Sequence, residues 1–307
     1  MIMASNKYLL VICGPTASGK TSLSIDLAKH FGSEILSCDS RQFFKEMSIG
    51  TAKPNAGELA AAKHHFVDSL SINEFYTIGD FERDVITFLD GYFLNHDIAI
   101  MVGGSGMYIK AVCEGIDDYP DVDPNIRTEL NQLFKEKGLE ALQTELKELD
   151  PTYFSKVDLN NHQRIIRALE ICKSTGKPFS SFQNKNKIQR PFEVLKIGIN
   201  WDREKLYERI NYRVDLMLEE GLEQEAKELY PQRALNALQT VGYQELFSYF
   251  SGEITKEKAI ELIKRNTRRY AKRQMTWFRR DTDLEWFDAP VDANLVINWV
   301  ESQLTKN

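Results

Sequence analysis

The sequence contains few cysteines, and their positions fit neither a disulfide framework nor a zinc site. The cysteines are Cys13, Cys38, Cys113 and Cys172, spread along 307 residues. No two of them form a C-x-x-C pair, the usual spacing of zinc-binding and redox-active cysteines. We therefore expect buried free thiols.

The sequence also lacks a long apolar segment. The early run YLLVIC is shorter than the apolar region of a secretory signal and much shorter than the ~20 residues that cross a bilayer. A content of 42% hydrophobic and 27% charged residues is that of an ordinary globular protein. We expect a cytoplasmic protein with no membrane partner.

Positive charge is scarce in the chain as a whole but concentrated in one segment. The net charge of −6 argues against a generally nucleic-acid-binding surface. Residues 264–280, however, contain eight Lys or Arg, three aromatic residues and no acidic residue. This segment suits a polyanion such as RNA, and it equally suits a solvated helix face.

The most specific motif is a phosphate-binding loop near the start of the chain. An apolar strand, a glycine turn and a helical pattern follow one another in LLVICGPTASGKTSLSIDLAKHF. The turn matches G-x-x-x-x-G-K-[ST] at Gly14, Gly19, Lys20 and Thr21. Backbone N–H groups and Lys20 of such a loop bind phosphate oxygens, and Thr21 is suited to bind Mg²⁺. The motif does not distinguish a nucleotide from the diphosphate of another organic molecule.

The order of predicted elements indicates an α/β fold with a parallel sheet core of the P-loop NTPase type. Six apolar segments predict strands, at residues 7–13, 34–39, 64–70, 97–104, 193–202 and 284–289. Helical patterns separate them. We divide the chain into a P-loop core with C-terminal helices, at 1–120 and 192–307, and a mostly helical insertion domain at 121–191.

Asp39 and the turn VGGSGMY are candidates for chemistry at the edge of this sheet. In an open parallel sheet, the carboxyl ends of the strands face the ligand crevice. Asp39 could assist Mg²⁺ there or accept a proton from a nucleophile, and a helix or turn cap is the alternative. In the turn, Gly103, Gly104 and Gly106 allow a close backbone approach, and Ser105 offers a hydroxyl group. The turn lacks the acidic magnesium ligand of many P-loop NTPases, which argues against a motor or switch ATPase.

Two further pairs of residues have open roles. Arg209 and Arg213 are four residues apart and share a helix face, where they could clamp a diphosphate or pair with acidic neighbours. His64 and His65 are adjacent on a predicted strand and therefore point to opposite faces. This geometry disfavours one metal ion shared by both histidines and Asp68.

The sequence resembles the tRNA dimethylallyltransferases along most of its length. The motifs GPTASGKT, DSRQ, IGTAKP, HHFVD, VGGSGMY, NNHQRIIRALE, RVDLMLEEGLEQE, VGYQE and RRYAKRQMTWFRR follow the family's order and spacing. The resemblance implies transfer of a dimethylallyl group from dimethylallyl diphosphate to the N6 amine of the adenosine immediately 3′ of the tRNA anticodon, with release of pyrophosphate. It implies Mg²⁺ as cofactor and a bacterial-type enzyme, which we expect to be a monomer.

The resemblance also assigns roles to individual residues. The catalytic residues are Asp39 as general base, Thr16, Lys20 and Ser105. The diphosphate-binding residues are Gly14, Pro15, Thr16, Ala17, Ser18, Gly19, Lys20, Thr21 and Arg213, and Thr21 is the metal ligand. The tRNA-binding residues are Asp39, Ser40, Arg41, Gln42, Ser105, Arg127, Gln163, Arg164, Ile165, Ile166 and Arg167. Departures from the family pattern are few: Ser105 replaces a common threonine, Met107 a leucine and Phe44 a tyrosine.

Two other functions compete with prenyl transfer. A small-molecule or nucleotide kinase would share the phosphate loop, Mg²⁺ and Asp39, but it does not explain IGTAKP or the basic segment at 264–280. A non-catalytic RNA-binding module with a vestigial phosphate site does not explain the intact Gly14, Lys20, Thr21 and Asp39.

Overall fold

The computed structural model describes residues 7–117, 119–120, 122–183 and 188–305. The strands are β1 (Tyr8–Cys13), β2 (Ile35–Ser37), β3 (His64–His65), β4 (Ile98–Gly103), β5 (Glu193–Asn200) and β6 (Leu284–Asp288). The α-helices are α1 (Lys20–Phe31), α2 (Ala56–Ala61), α3 (Ile78–Tyr92), α4 (Gly106–Glu114), α5 (Pro124–Leu149), α6 (Pro151–Phe154), α7 (His162–Thr175), α8 (Arg203–Glu219), α9 (Leu222–Leu229), α10 (Tyr243–Phe250), α11 (Lys256–Phe278) and α12 (Ala293–Leu304).

The strands form one parallel sheet in the order β3-β2-β4-β1-β5-β6. Strand β1 lies in the middle, with Tyr8 opposite Ile98 of β4 and Glu193 of β5. Every residue of β1 is buried, because helices cover both faces of the sheet and its side chains point alternately to each. The predicted α/β fold with a parallel sheet core is confirmed.

One predicted strand is much shorter in the structure, and one long helix is interrupted. The third strand was expected at 64–70, but β3 ends at His65 because Phe66 (φ 60°) and Asp68 (φ 52°) leave the extended conformation. The long helix of the insertion is interrupted at Gly138, whose φ of 76° is not helical.

The chain divides into two compact units. We call residues up to 114 and from 189 onward the core unit, and residues 115–188 the insertion unit. The boundaries predicted from the sequence lie at 120/121 and 191/192. Residue 121 lies outside the described residues.

Each unit has its own hydrophobic core. In the core unit, Leu9 and Val11 pack on one face of the sheet, and Leu10 and Ile12 on the other. A further apolar cluster joins helices α8 to α11. In the insertion unit, α5 and α7 pack against each other through a separate cluster. Within the described ranges, no helix is long and apolar enough to span a membrane.

Helix α11 carries most of the basic segment, and its buried face is regular. Thr255 caps its start by accepting a hydrogen bond from the Lys258 N–H. Ala271, Gln274 and Phe278 are buried at helical spacing, while Lys272 and Arg273 are exposed. The segment is therefore an amphipathic helix that presents its basic face to solvent.

Candidate active site

The phosphate loop, residues 14–19, lies between the end of β1 and the start of α1. Ala17 (φ 62°) and Gly19 (φ 90°) both have left-handed backbone conformations, which only glycine adopts freely. The Arg209 Nε donates to the Ala17 carbonyl at 2.9 Å, and the Trp201 Nε1 donates to the Ser18 carbonyl at 3.0 Å. These two side chains hold the loop from outside.

Lys20 begins α1 and lies across the loop. Its Nζ donates to the Pro15 carbonyl at 2.7 Å. Burial, with a contribution from the neighbouring Arg213, lowers the pKa of Lys20 to about 8, and Asp39 opposes this shift. Thr21 follows as the second residue of α1. Lys20 and Arg213 thus both bring positive charge to the start of α1. The helix dipole also favours an anion there.

The two arginines of α8 are turned toward the loops of the core unit. Arg209 stacks on the Trp201 ring with 4.7 Å between the guanidinium carbon and the ring centroid. The Arg213 Nη2 lies 3.5 Å from the Ala52 carbonyl oxygen. Burial lowers the pKa of the Arg213 guanidinium. Among the described residues, neither arginine forms an ion pair with an acidic neighbour on α8. Arg209 thus contacts Ala17 and Trp201, and the diphosphate clamp by the two arginines stays a prediction.

Asp39 lies in the turn that follows β2. Its Oδ1 accepts a hydrogen bond from the Arg41 N–H at 3.0 Å, so one carboxylate oxygen does cap this turn. The neighbouring Ser40 N–H donates to the Ser105 Oγ at 3.2 Å. Burial, together with the charge of Asp39, raises the pKa of Tyr270 to about 12, and a hydrogen bond with Ser105 opposes the shift. Asp39, Ser105 and Tyr270 are therefore neighbours.

The glycines of the VGGSGMY turn are needed because other parts of the protein pack closely against the backbone of this turn. A Cβ on Gly103 would lie 2.0 Å from the Cys38 carbonyl oxygen, and one on Gly106 would lie 2.3 Å from the Trp277 ring. A Cβ on Gly104 would lie 2.2 Å from the Gln274 Nε2. The close approach that these glycines allow is therefore made by the chain's own atoms.

The side-chain amide of Gln42, a predicted tRNA contact, forms hydrogen bonds within the protein. Its Nε2 donates to the carbonyls of Thr51 and Ala52 at 3.2 and 3.1 Å, and its Oε1 accepts from the Ser37 hydroxyl at 3.0 Å. The side chain joins the end of β2 to the IGTAKP loop, residues 49–54.

The Glu225 carboxylate on α9 fixes that loop from its other side. It accepts hydrogen bonds from the backbone N–H groups of Ser48, Ile49 and Gly50 at 2.8–2.9 Å, and from the Tyr243 hydroxyl at 2.7 Å. A Cβ on Gly50 would lie 2.6 Å from the Tyr243 ring, so glycine is required there.

The predicted RNA contacts of the insertion unit differ in exposure. Gln163 and Arg164 are exposed near the start of α7, whereas Ile165 and Ile166 are buried in the core of this unit. The side chains of the two isoleucines are therefore occupied in packing. Arg127 of α5 and Arg167 of α7 both form ion pairs with the buried Glu170, and about half of each arginine side chain stays exposed.

The basic face of α11 is largely free of acidic partners. Among the described residues, Lys272, Arg273 and Arg280 form no ion pair, and with Trp277 they line a shallow depression. Lys264, by contrast, pairs with Asp215 at 2.5 Å. This exposed basic face fits a polyanion-binding surface, and it equally fits the alternative of a solvated helix face.

His64 and His65 have different partners. The His64 Nδ1 contacts the Ala62 carbonyl at 2.8 Å, and the His65 Nε2 contacts the Glu34 carboxylate at 2.5 Å. Asp68 forms an ion pair with Lys53. In the ranges that the structure describes, no three His, Cys, Asp or Glu side chains are grouped as a metal site.

Sequence reasoning missed the residues that brace these loops, namely Trp201, Glu225, Tyr243, Tyr270 and Gln274. One signal was available for Gln274, since it is the polar residue at helical spacing between the apolar Ala271 and Phe278. A polar side chain on an apolar helix face has a buried partner as a rule. For Glu225, the sequence carries no comparable signal.

Comparison with known proteins gives a consistent result. The model of the family described as IPP transferase matches residues 42–281. The chain is 56% identical to the tRNA dimethylallyltransferase of Christiangramia forsetii, over 97% of this chain and 99% of that protein. It is similar to the crystal structure of the full-length tRNA isopentenylpyrophosphate transferase of Bacillus halodurans, with 37% identity, a TM-score of 0.73 and coverage of 98% and 97% of the two chains. It is also similar to a eukaryotic dimethylallyltransferase acting on tRNA, with 29% identity and a TM-score of 0.79, over 92% of this chain and 74% of that one.

Proposed function

The chain belongs to the IPP transferase family, and from that premise we propose that it transfers a dimethylallyl group from dimethylallyl diphosphate to tRNA. The acceptor we propose is the N6 amine of the adenosine immediately 3′ of the anticodon. Its relatives carry the name of tRNA dimethylallyltransferase at about half identity and nearly full length. The kinase and the non-catalytic module are not favoured.

The observation that carries the proposal is the neighbourhood of the phosphate loop. Lys20 and Arg213 supply positive charge, and Asp39 lies close enough to both to influence their pKa values. In the described part of the chain, the Ser18 hydroxyl is buried in the loop without a hydrogen-bond partner. A buried polar group of this kind is normally satisfied, and a diphosphate oxygen suits it.

The chemistry replaces a carbon–oxygen bond with a carbon–nitrogen bond and moves one proton. The N6 amine attacks the allylic C1 of the donor, the C1–O bond breaks, and both bonding electrons leave with pyrophosphate. The Asp39 carboxylate accepts the proton that the amine loses. Backbone N–H groups of the loop, Lys20 and Arg213 stabilise the negative charge that grows on the leaving diphosphate.

The residues at the start of α1 fit a magnesium ion. Mg²⁺ is usually bound by one or two protein oxygens together with substrate phosphates. The Thr21 hydroxyl provides one such oxygen, and Asp39 lies close enough to the adjacent Lys20 to influence its pKa. When bound, the ion would neutralise charge on the diphosphate.

The RNA substrate requires a basic surface and access to one base. The exposed side chains of Lys272, Arg273 and Arg280 suit phosphate contacts. In the insertion unit, Gln163 and Arg164 are exposed and suit the edges of unpaired bases. The acceptor adenine must leave its stack before its amine reaches Asp39. We further propose that one monomer carries out the reaction.

The test is transfer of label. The full chain is incubated with Mg²⁺, unmodified tRNA and radiolabelled dimethylallyl diphosphate, and the RNA is then digested to locate the label. A parallel reaction contains labelled ATP and no dimethylallyl diphosphate. Label on the adenosine beside the anticodon is expected. Absence of label in RNA, with phosphate transfer from ATP to a small acceptor, would overturn the proposal in favour of a kinase.

A further inference from the structure

Gln274 connects three parts of the core unit that are far apart in sequence. It lies on the buried face of α11 with only 7% of its surface exposed. Its Oε1 accepts a hydrogen bond from the Thr16 N–H of the phosphate loop at 2.9 Å. Its Nε2 donates to the Gly104 carbonyl at 3.0 Å. One amide thus joins α11, the phosphate loop and the turn that carries Ser105.

Both hydrogen bonds depend on the chemistry of glutamine. The Thr16 N–H needs an acceptor and the Gly104 carbonyl needs a donor, and a side-chain amide is the group that offers both. These two partners also fix the orientation of the amide, since the flipped form would set donor against donor and acceptor against acceptor.

The packing around Gly104 adds a steric constraint. A Cβ there would lie 2.2 Å from the Gln274 Nε2 and 3.5 Å from the Gly14 carbonyl oxygen. The turn therefore reaches the amide only because residue 104 has no side chain. The Gln274 amide is thus hydrogen-bonded to both the phosphate loop and the turn.

We propose that Gln274 is a positioning residue that holds the phosphate loop and the Ser105 turn in the arrangement that binds the diphosphate donor. This inference rests on the proposed function, since it takes the loop to be the diphosphate site. Gln274 itself does not touch the reacting atoms. Its effect is to keep the Thr16 backbone in place, because a loop that must be reordered on binding costs affinity.

Three variants of the full chain perturb the bridge in different ways. Gln274→Met removes both hydrogen bonds at similar volume. Gln274→Glu keeps an acceptor for Thr16 but loses the donor to Gly104. Gly104→Ala leaves Gln274 intact and pushes its amide away. The matched control is Gln232→Glu, the same substitution at an exposed glutamine of the core unit.

Two measurements separate positioning from general stability. Equilibrium dialysis with Mg²⁺ and pyrophosphate, without RNA, reports the affinity of the loop alone. Steady-state transfer assays give KM for dimethylallyl diphosphate and KM for tRNA separately. We expect each bridge variant to weaken pyrophosphate binding and to raise KM for the donor by about tenfold or more, because a buried hydrogen bond is lost. KM for tRNA and all values of the control should stay within about twofold.

The outcomes are distinguishable. Donor KM and pyrophosphate affinity within about twofold of wild type in the variants that fold, even with a lower melting temperature, would make Gln274 a merely structural residue and overturn the inference. An equal rise of KM for both substrates would also overturn it. A wild-type chain that transfers no dimethylallyl group would instead overturn the proposed function and, with it, this inference.

Discussion

Raising the pH from about 7 to about 9 should weaken binding of dimethylallyl diphosphate about tenfold. The reason is Lys20, whose pKa is lowered to about 8 by burial and by Arg213. The protonated fraction of a group with this pKa falls from ~0.9 to ~0.1 over the interval, whereas a lysine with the usual pKa of ~10.4 would stay almost fully protonated. If only the ammonium form binds the anion, affinity follows the protonated fraction.

The charge of the ligand determines whether its binding takes up or releases a proton. A bound diphosphate favours the charged form of Lys20 and therefore raises its pKa. Near the free pKa of about 8 and above it, binding should then take up a proton. Calorimetry in buffers of different ionisation enthalpy measures this uptake independently of the affinity.

The assay is equilibrium dialysis with radiolabelled dimethylallyl diphosphate and Mg²⁺ at constant ionic strength. Titration of the ligand and hydrolysis of the metal ion also change with pH, so Lys20→Arg serves as the control because its guanidinium stays charged throughout. The wild type should show the tenfold loss and the variant a flatter profile. Equal profiles in both proteins, or a flat wild-type profile without proton uptake, would refute the reasoning.

Three further predictions concern other parts of the core unit. Asp39→Asn keeps the acceptor for the Arg41 N–H but loses the base, so the single-turnover rate should fall about 100-fold or more. The affinity for tRNA should stay within a few-fold of the wild type, and an unchanged rate would remove Asp39 from the mechanism. Alanine at both Lys272 and Arg273 should weaken tRNA binding and reduce the slope of log affinity against log salt by about 2; a wild-type slope would exclude phosphate contacts there. Glu225→Gln replaces one carboxylate oxygen with an NH2 donor, so at least one of the three backbone N–H groups that Glu225 accepts from loses its acceptor. The free energy of unfolding in urea titrations should fall by about 1–3 kcal/mol; a loss below about 0.5 kcal/mol would contradict this role.

Most of the fold was predictable because its signals are local. Strand β1, the phosphate loop and α1 are contiguous, so their apolar pattern, glycines and Lys20 lie within one short window of sequence. The alternation of strands and helices then implies a parallel sheet with right-handed crossovers. The limits of this reasoning are also local: the positive φ of Phe66 and Asp68 ends β3 early, although an aromatic residue such as Phe66 favours a strand.

The candidate site was predictable only in part. The sequence by itself determined that the chain has a phosphate-loop motif, a carboxylate after the second strand and a basic helix, since each depends on neighbouring residues. The tertiary structure alone decided what holds them together, since Thr16 and Gln274 are 258 residues apart and Gly50 and Glu225 are 175 apart. Contacts over such separations depend on which surfaces meet when the chain folds, and a single sequence carries no local signal for that meeting. The same reason applies to Ile165 and Ile166, whose burial follows from the packing of α7 against α5.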